Sequence, residues 1–226
     1  MSFAYIIGIV AMLASTVVRN RFQATLNKLS QIPTSSGMSG REIAERMLAD
    51  YGIQDVQVVS TGGMLTDHYN PGNKTVNLSE AVYNQRSITA AAVAAHEVGH
   101  AVQHATAYSF LKFRSAIVPV VSLSSKVSPW VLMAGIVMLE SFPAILGVGL
   151  ILLAASTLFS LITLPVEFDA SKRAVAWLDR VQITRGEETD QAKKGLKWAA
   201  MTYVVAALTS LATLLYYLSI FMQRRR

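Results

Sequence analysis

The chain has 226 residues, of which 52% are hydrophobic and only 15% charged, and its mean hydropathy of +0.39 places it in a bilayer. It has no cysteine, which excludes disulfides and cysteine-ligated metal and leaves histidines and carboxylates as the available ligands. The net charge of +6 is no nucleic-acid signature, because the basic residues sit in two blocks between apolar stretches, nine from Arg19 to Arg114 and seven from Lys172 to Lys197.

Residues 3–18 form an apolar run just long enough to cross a membrane. Its positive charges, Arg19 and Arg21, follow the run, which is the reverse of a secretory signal. Gln31 to Gly40 is a Pro/Ser/Gly linker. Ser39 with Glu42 three residues on is a capping box, which predicts a helix from Arg41 to Asp50 that Gly52 ends. Val56 to Val59 reads as a strand, followed by a Gly62-Gly63 turn. A hairpin is predicted next, with arms Met64–Tyr69 and Lys74–Ser79 around Asn70-Pro71-Gly72-Asn73. In its second arm the alternation of Thr75, Val76, Asn77 and Leu78 predicts a half-exposed edge strand, to which a substrate peptide could add through backbone hydrogen bonds. Asn73-Lys74-Thr75 and Asn77-Leu78-Ser79 are glycosylation sequons with no meaning on a cytoplasmic face.

Ile88 to Ala107 is alanine-rich and free of proline, so it predicts a helix, and that helix carries His96-Glu97-Val98-Gly99-His100. Residues four apart lie on one helical face, so two imidazoles can hold one Zn²⁺ while Glu97 serves as general base toward an attacking water. Chance occurrence in this composition is roughly 0.002 per chain, too rare to favour two incidental histidines. His104 lies about 12 Å along the helix from His96, too far to share that ion, and reads as a surface or cleft residue.

Three more apolar stretches follow. Residues 117–138 contain Pro119, Lys126 and Pro129, and Leu139-Glu140-Ser141 separate them from the cleaner stretch 142–164. The last covers 199–222. Between them, Pro165-Val166-Glu167-Phe168-Asp169-Ala170-Ser171 sets two acids at the membrane boundary and opens a helix. Such acids are costly there unless paired, solvated or bound to metal, although both also suit a helix start. The third ligand stays open on the residues alone. Glu167 and Asp169 are candidates, and His68 could serve as ligand or as oxyanion donor.

The two motifs together, His96-Glu97-Val98-Gly99-His100-Ala101-Val102-Gln103-His104 and Pro165 to Ser171, resemble the YugP-type neutral zinc metallopeptidases, bacterial membrane proteins described as proteases. The likeness extends to the Thr66-Asp67-His68-Tyr69 hairpin and the last apolar helix. It implies zinc held by His96, His100 and Glu167, with Glu97 as base. A more distant similarity is to the HtpX and CAAX-prenyl proteases, whose third-ligand motif is E-x-x-A-D. Ala170 matches that motif, but Ser171 stands where it has aspartate, and neighbouring Asp169 is a candidate to hydrogen-bond the free ring nitrogen of a zinc-bound histidine.

The expected architecture is mainly α. It has four membrane helices (3–18, 117–138, 142–164 and 199–222), a small α+β zincin-like portion over 19–115, and a third-ligand helix with an amphipathic segment over 165–198. The expected activity is hydrolysis of peptide bonds in peptide or protein substrates, membrane proteins included, by a zinc-activated water. His68 or Tyr69 would be oxyanion donors and Thr75 to Leu78 the substrate strand. Positive residues favour the cytoplasmic side for the catalytic portion of a multi-pass bacterial protein, against the opposing Arg224-Arg225-Arg226 tail. The rivals are a site-2-type intramembrane protease with Asp169 as ligand and a scaffold or chaperone holding structural zinc.

Overall fold

A computed structural model describes residues 3–223, with side chains from Gly8 onward. The elements in chain order are α1 (Phe3–Ser30), α2 (Gly40–Asp50), β1 (Gln57–Thr61), β2 (His68–Asn70), β3 (Thr75–Ser79), α3 (Glu80–Tyr83), α4 (Ile88–Ala105), α5 (Ser109–Val137), α6 (Pro143–Arg180) and α7 (Glu187–Gln223). They fall into two compact units. Of the described residues, one comprises 3–17, 112–164 and 202–223, the other 18–111 and 165–201.

The second unit has a core of its own. α2 begins where the sequence predicts. The Ser39 side chain accepts from the Glu42 amide while Glu42 accepts from the Ser39 amide at 2.7 Å, and Gly52 ends the helix at φ +68°. Ile43, Ala44 and Met47 of α2 bury against Val76 and Leu78 of β3 and against α4. α4 is buried nearly all round, with Ala90, Ala91, Ala94 and Ala95 inaccessible to solvent. A helix lined with alanine lets its neighbours approach closely, and one hydrophobic on every side belongs inside. Trp177 of α6 fills the core and donates its indole N–H to Asp50 at 2.9 Å.

The hairpin forms, but its place in the sheet differs from expectation. Strand order is β1-β3-β2, with β3 parallel to β1 and antiparallel to β2. Thr75 to Leu78 therefore sit in the central strand, with Thr75, Val76 and Asn77 paired on both sides and Leu78 paired to β1, so they form no open edge for a peptide. The alternation that suggests an edge has another cause here. Val76 and Leu78 are fully buried on the core face, and Thr75 and Asn77 lie on the half-covered opposite face. The free edges belong to β1 and β2.

In the first unit, three described helices are long and apolar enough to cross a membrane: α5, α6 and α7. The fourth expected span, 3–18, begins among residues whose side chains lie outside the described set. α5 runs unbroken through Pro119 and Pro129. It packs on α6 where Gly135 meets Leu146 and Gly149 meets Leu132, places where a Cβ would lie within 3 Å of a neighbour. Thr157 of α6 shares a 2.7 Å hydrogen bond with Ser210 of α7. α6 also corrects the sequence reading. Pro165 does not open a new helix but sits within a single helix of 38 residues. Proline removes one backbone donor there, a loss that long apolar helices tolerate.

Candidate metal centre

His96 and His100 lie one turn apart on α4, with ring centroids 4.8 Å apart and planes nearly perpendicular. Opposite them, Glu167 of α6 puts Oε2 3.3 Å from His96 Nε2 and 3.7 Å from His100 Nε2. The three ligand atoms lie within 4.8 Å of one another. Ligands bound to zinc at about 2 Å in a tetrahedron are about 3.3 Å apart, so this donor set fits the ion. Two imidazoles, one carboxylate and no thiolate is also the composition of catalytic zinc sites that keep a coordination position open. Glu167 and His100 are buried, and His96 is partly so.

Close approach of α4 and α6 brings these groups together. A Cβ on Gly99 would meet the Ala170 carbonyl oxygen at 2.8 Å, so the glycine inside the motif and the small residue three beyond Glu167 let the helices touch at the site. The far nitrogens of both rings are engaged. His96 Nδ1 meets Ser171 Oγ at 3.2 Å, and His100 Nδ1 meets Gln103 Oε1 at 3.0 Å. Gln103 is fully buried and donates its amide to the Val166 carbonyl and to Asp169 Oδ2, each at 2.8 Å. Both amide hydrogens are thereby committed to acceptors. Oε1 must then accept from an Nδ1–H on His100, which leaves Nε2 with its lone pair toward the metal position.

Asp169 itself touches neither histidine. It receives Gln103 and pairs with Arg173 at 2.6 Å, so its hold on His100 passes through the glutamine, and Ser171 rather than an aspartate meets His96. Sequence reasoning missed Gln103. The available signal was a polar residue three beyond His100 on an otherwise apolar helix.

The remaining predicted residues divide clearly. Glu97 is buried and outside the ligand group, and its Oε2 accepts the Tyr69 backbone N–H at 3.0 Å. The Tyr69 hydroxyl shares a 2.7 Å hydrogen bond with His104 Nδ1. His68 is exposed, turns its Nδ1 to the Thr66 carbonyl at 2.7 Å, and is no part of the ligand group. Burial opposes a charge on His100. Hydrogen bonding and attraction to Glu167 outweigh it, with help from Glu97 and Gln103, and hold the ring above the ordinary histidine pKa of 6.5 in the metal-free protein.

A helix-borne His-Glu-x-x-His with a distant glutamate in ligand range defines a zinc metallopeptidase. Comparison with known proteins agrees. Residues 4–222 match the family model described as "Putative neutral zinc metallopeptidase", and the chain belongs to that family. It is 44% identical over 205 residues, 91% of this chain and 90% of the relative, to the protein named "Putative membrane protease YugP" of Bacillus subtilis (strain 168). No solved structure matches the chain.

Two outcomes follow from this geometry. Gln103→Leu, which keeps volume but frees His100 Nδ1 and both acceptors on α6, should weaken zinc binding about 10–100-fold in a chelator competition. Zinc affinity should also depend on pH with a definite sign. A ring whose metal-free pKa is raised keeps its proton, and so rejects metal, above the ordinary histidine range. Affinity should fall with decreasing pH from an onset above pH 6.5. The same proton stabilises the metal-free fold fully below the unfolded histidine pKa, and that contribution is lost as pH rises through the raised value.

Proposed function

We propose that the protein is an endopeptidase of the bacterial cell membrane that hydrolyses peptide bonds of protein substrates, membrane proteins among them, with its catalytic residues on the cytoplasmic side. One observation carries the catalytic part. Glu97 lies between both histidine ligands in the chain yet outside the ligand group, and one carboxylate oxygen accepts the Tyr69 amide of β2. Zinc, when bound, supplies a Lewis acid that polarises a scissile carbonyl and acidifies a water. Glu97 takes the proton from the attacking water on a carboxylate oxygen and returns it to the departing amine. His96, His100 and Glu167 hold the metal, Ser171 and Gln103 hold the two rings, and Asp169 with Arg173 anchors Gln103.

The substrate strand belongs at β2. Tyr69 gives its amide to Glu97, so the outer edge of β2 borders that carboxylate, and an extended peptide laid along it passes beside the proposed base. For the oxyanion, the Tyr69 hydroxyl supported by His104 is the better donor than His68, whose Nδ1 is committed to Thr66. The membrane arrangement follows from connectivity. His96 precedes α5 and Glu167 follows the apolar part of α6, so the two stretches cross together and return the chain to the side it left. The excess of Lys and Arg in 19–114 and 172–197 favours the cytoplasm for that side.

A site-2-type arrangement needs Asp169 as ligand, and here Asp169 is engaged by Gln103 and Arg173. A zinc scaffold without turnover has no use for a general base at Glu97. The test is Glu97→Gln. It should keep zinc, because Glu97 is no ligand, and lose peptide cleavage by about 10²-fold or more. Glu167→Ala should lose zinc under mild chelation, while Asp169→Ala should keep most of it. Full cleavage by Glu97→Gln, or full zinc retention by folded Glu167→Ala, would contradict the mechanism.

A further inference from the structure

Lys126 lies in the middle of α5, 12 residues after Arg114 and 12 before Met138. At 1.5 Å per residue that is about 18 Å of helix on either side. The hydrocarbon core is about 30 Å thick, so Lys126 sits near its midplane, deeper than a lysine stem reaches by snorkelling. The expectation for a lysine in such a span is a paired or solvated position inside the bundle. The structure gives the opposite. Lys126 is exposed and, among the described residues, has neither an ion pair nor a hydrogen bond.

Its surroundings are polar on the same face. Ser122, one turn before it, is exposed, whereas Ser124 and Ser128 turn inward and are buried. Pro129, one turn after, has no N–H to give the Ser125 carbonyl, so a backbone acceptor loses its donor beside the lysine. Leu123 and Trp130 flank the face at 67% and 69% exposure. A cation turned toward lipid needs a polar partner, and in the hydrocarbon another helix can offer one.

We propose that the α5 face centred on Lys126 docks a transmembrane helix of another protein that carries an acidic side chain at mid-membrane depth. This rests on the reading of α5 as a membrane span. Charge selects the occupant. A second copy of this chain packed by the same face would set lysine against lysine. Nor does any apolar stretch of this chain hold an acid at that depth, since Glu140 lies at the turn between α5 and α6. A carboxylate on a foreign helix neutralises Lys126, and flanking Leu123 and Trp130 supply the apolar contact that excludes lipid.

The test uses the full chain in phosphatidylcholine vesicles with a synthetic leucine-rich transmembrane peptide bearing one central glutamate, read by energy transfer against the all-leucine peptide. Wild type should bind the glutamate peptide about tenfold more tightly. Lys126→Leu should lose that preference and Lys126→Arg should keep it. Equal association of the two peptides with wild type, or a preference that survives Lys126→Leu, overturns the proposal. Self-association that Lys126→Leu abolishes, without any preference for the glutamate peptide, overturns it in favour of a second copy. Labelling Lys126→Cys with a water-soluble maleimide separates the two layers of the argument. Reaction as fast as at Glu140→Cys means that α5 is not a span and removes the basis of the proposal. Protection of Lys126→Cys together with equal peptide association leaves the span standing and refutes the docking.

Discussion

The constraint on which the catalytic unit depends is a carboxylate, Glu167, buried against two imidazoles from another helix. A charge removed from water needs compensation close by, and here the compensation is a pair of rings and the ion they are shaped to share. The surrounding packing serves that meeting. Alanines along α4 allow its neighbours close, and Gly99 accepts the Ala170 carbonyl where any side chain would stand. Trp177 locks the same stretch of α6 into the core through Asp50 of α2.

Orientation is solved separately from distance. Each histidine is gripped at Nδ1 by a neutral side chain, Ser171 for one and Gln103 for the other, so both present Nε2 to the same point. An amide suits Gln103 because the position must accept on one side and donate twice on the other. A carboxylate there would face the Val166 carbonyl and Asp169 with no hydrogen to offer. Glu97, one residue from His96, accepts the Tyr69 amide. That contact ties the proposed general base to the strand proposed to receive substrate.

What could be read from the sequence was local. The spacing of His96 and His100, the Ser39–Glu42 capping box and the β2–β3 hairpin are patterns within a few residues, and each is present, although the hairpin's first arm is only His68–Asn70 rather than 64–69. The apolar stretches 117–138, 142–164 and 199–222 likewise announce α5, α6 and α7 by composition. Relations between distant segments were not legible in the same way. Glu167 and Asp169 are equally acidic and both suit a helix start, and resemblance rather than spacing chose between them. Alternation at Thr75–Leu78 records one buried face, and a central strand of a small sheet shows it as well as an edge strand does. Pro165 signals a helix start by local rules, yet the apolar helix before it simply continues. Lys126 drew attention as a charge in an apolar run, but only the fold tells which way it faces.

The most direct measurement of the central claim is zinc K-edge X-ray absorption on the purified full-length protein, with metal content determined on the same sample. The expected result is one zinc per chain, with two imidazole nitrogens and oxygen donors at about 2.0–2.2 Å. A shell of three imidazoles, or a stoichiometry well below one in active protein, would contradict it.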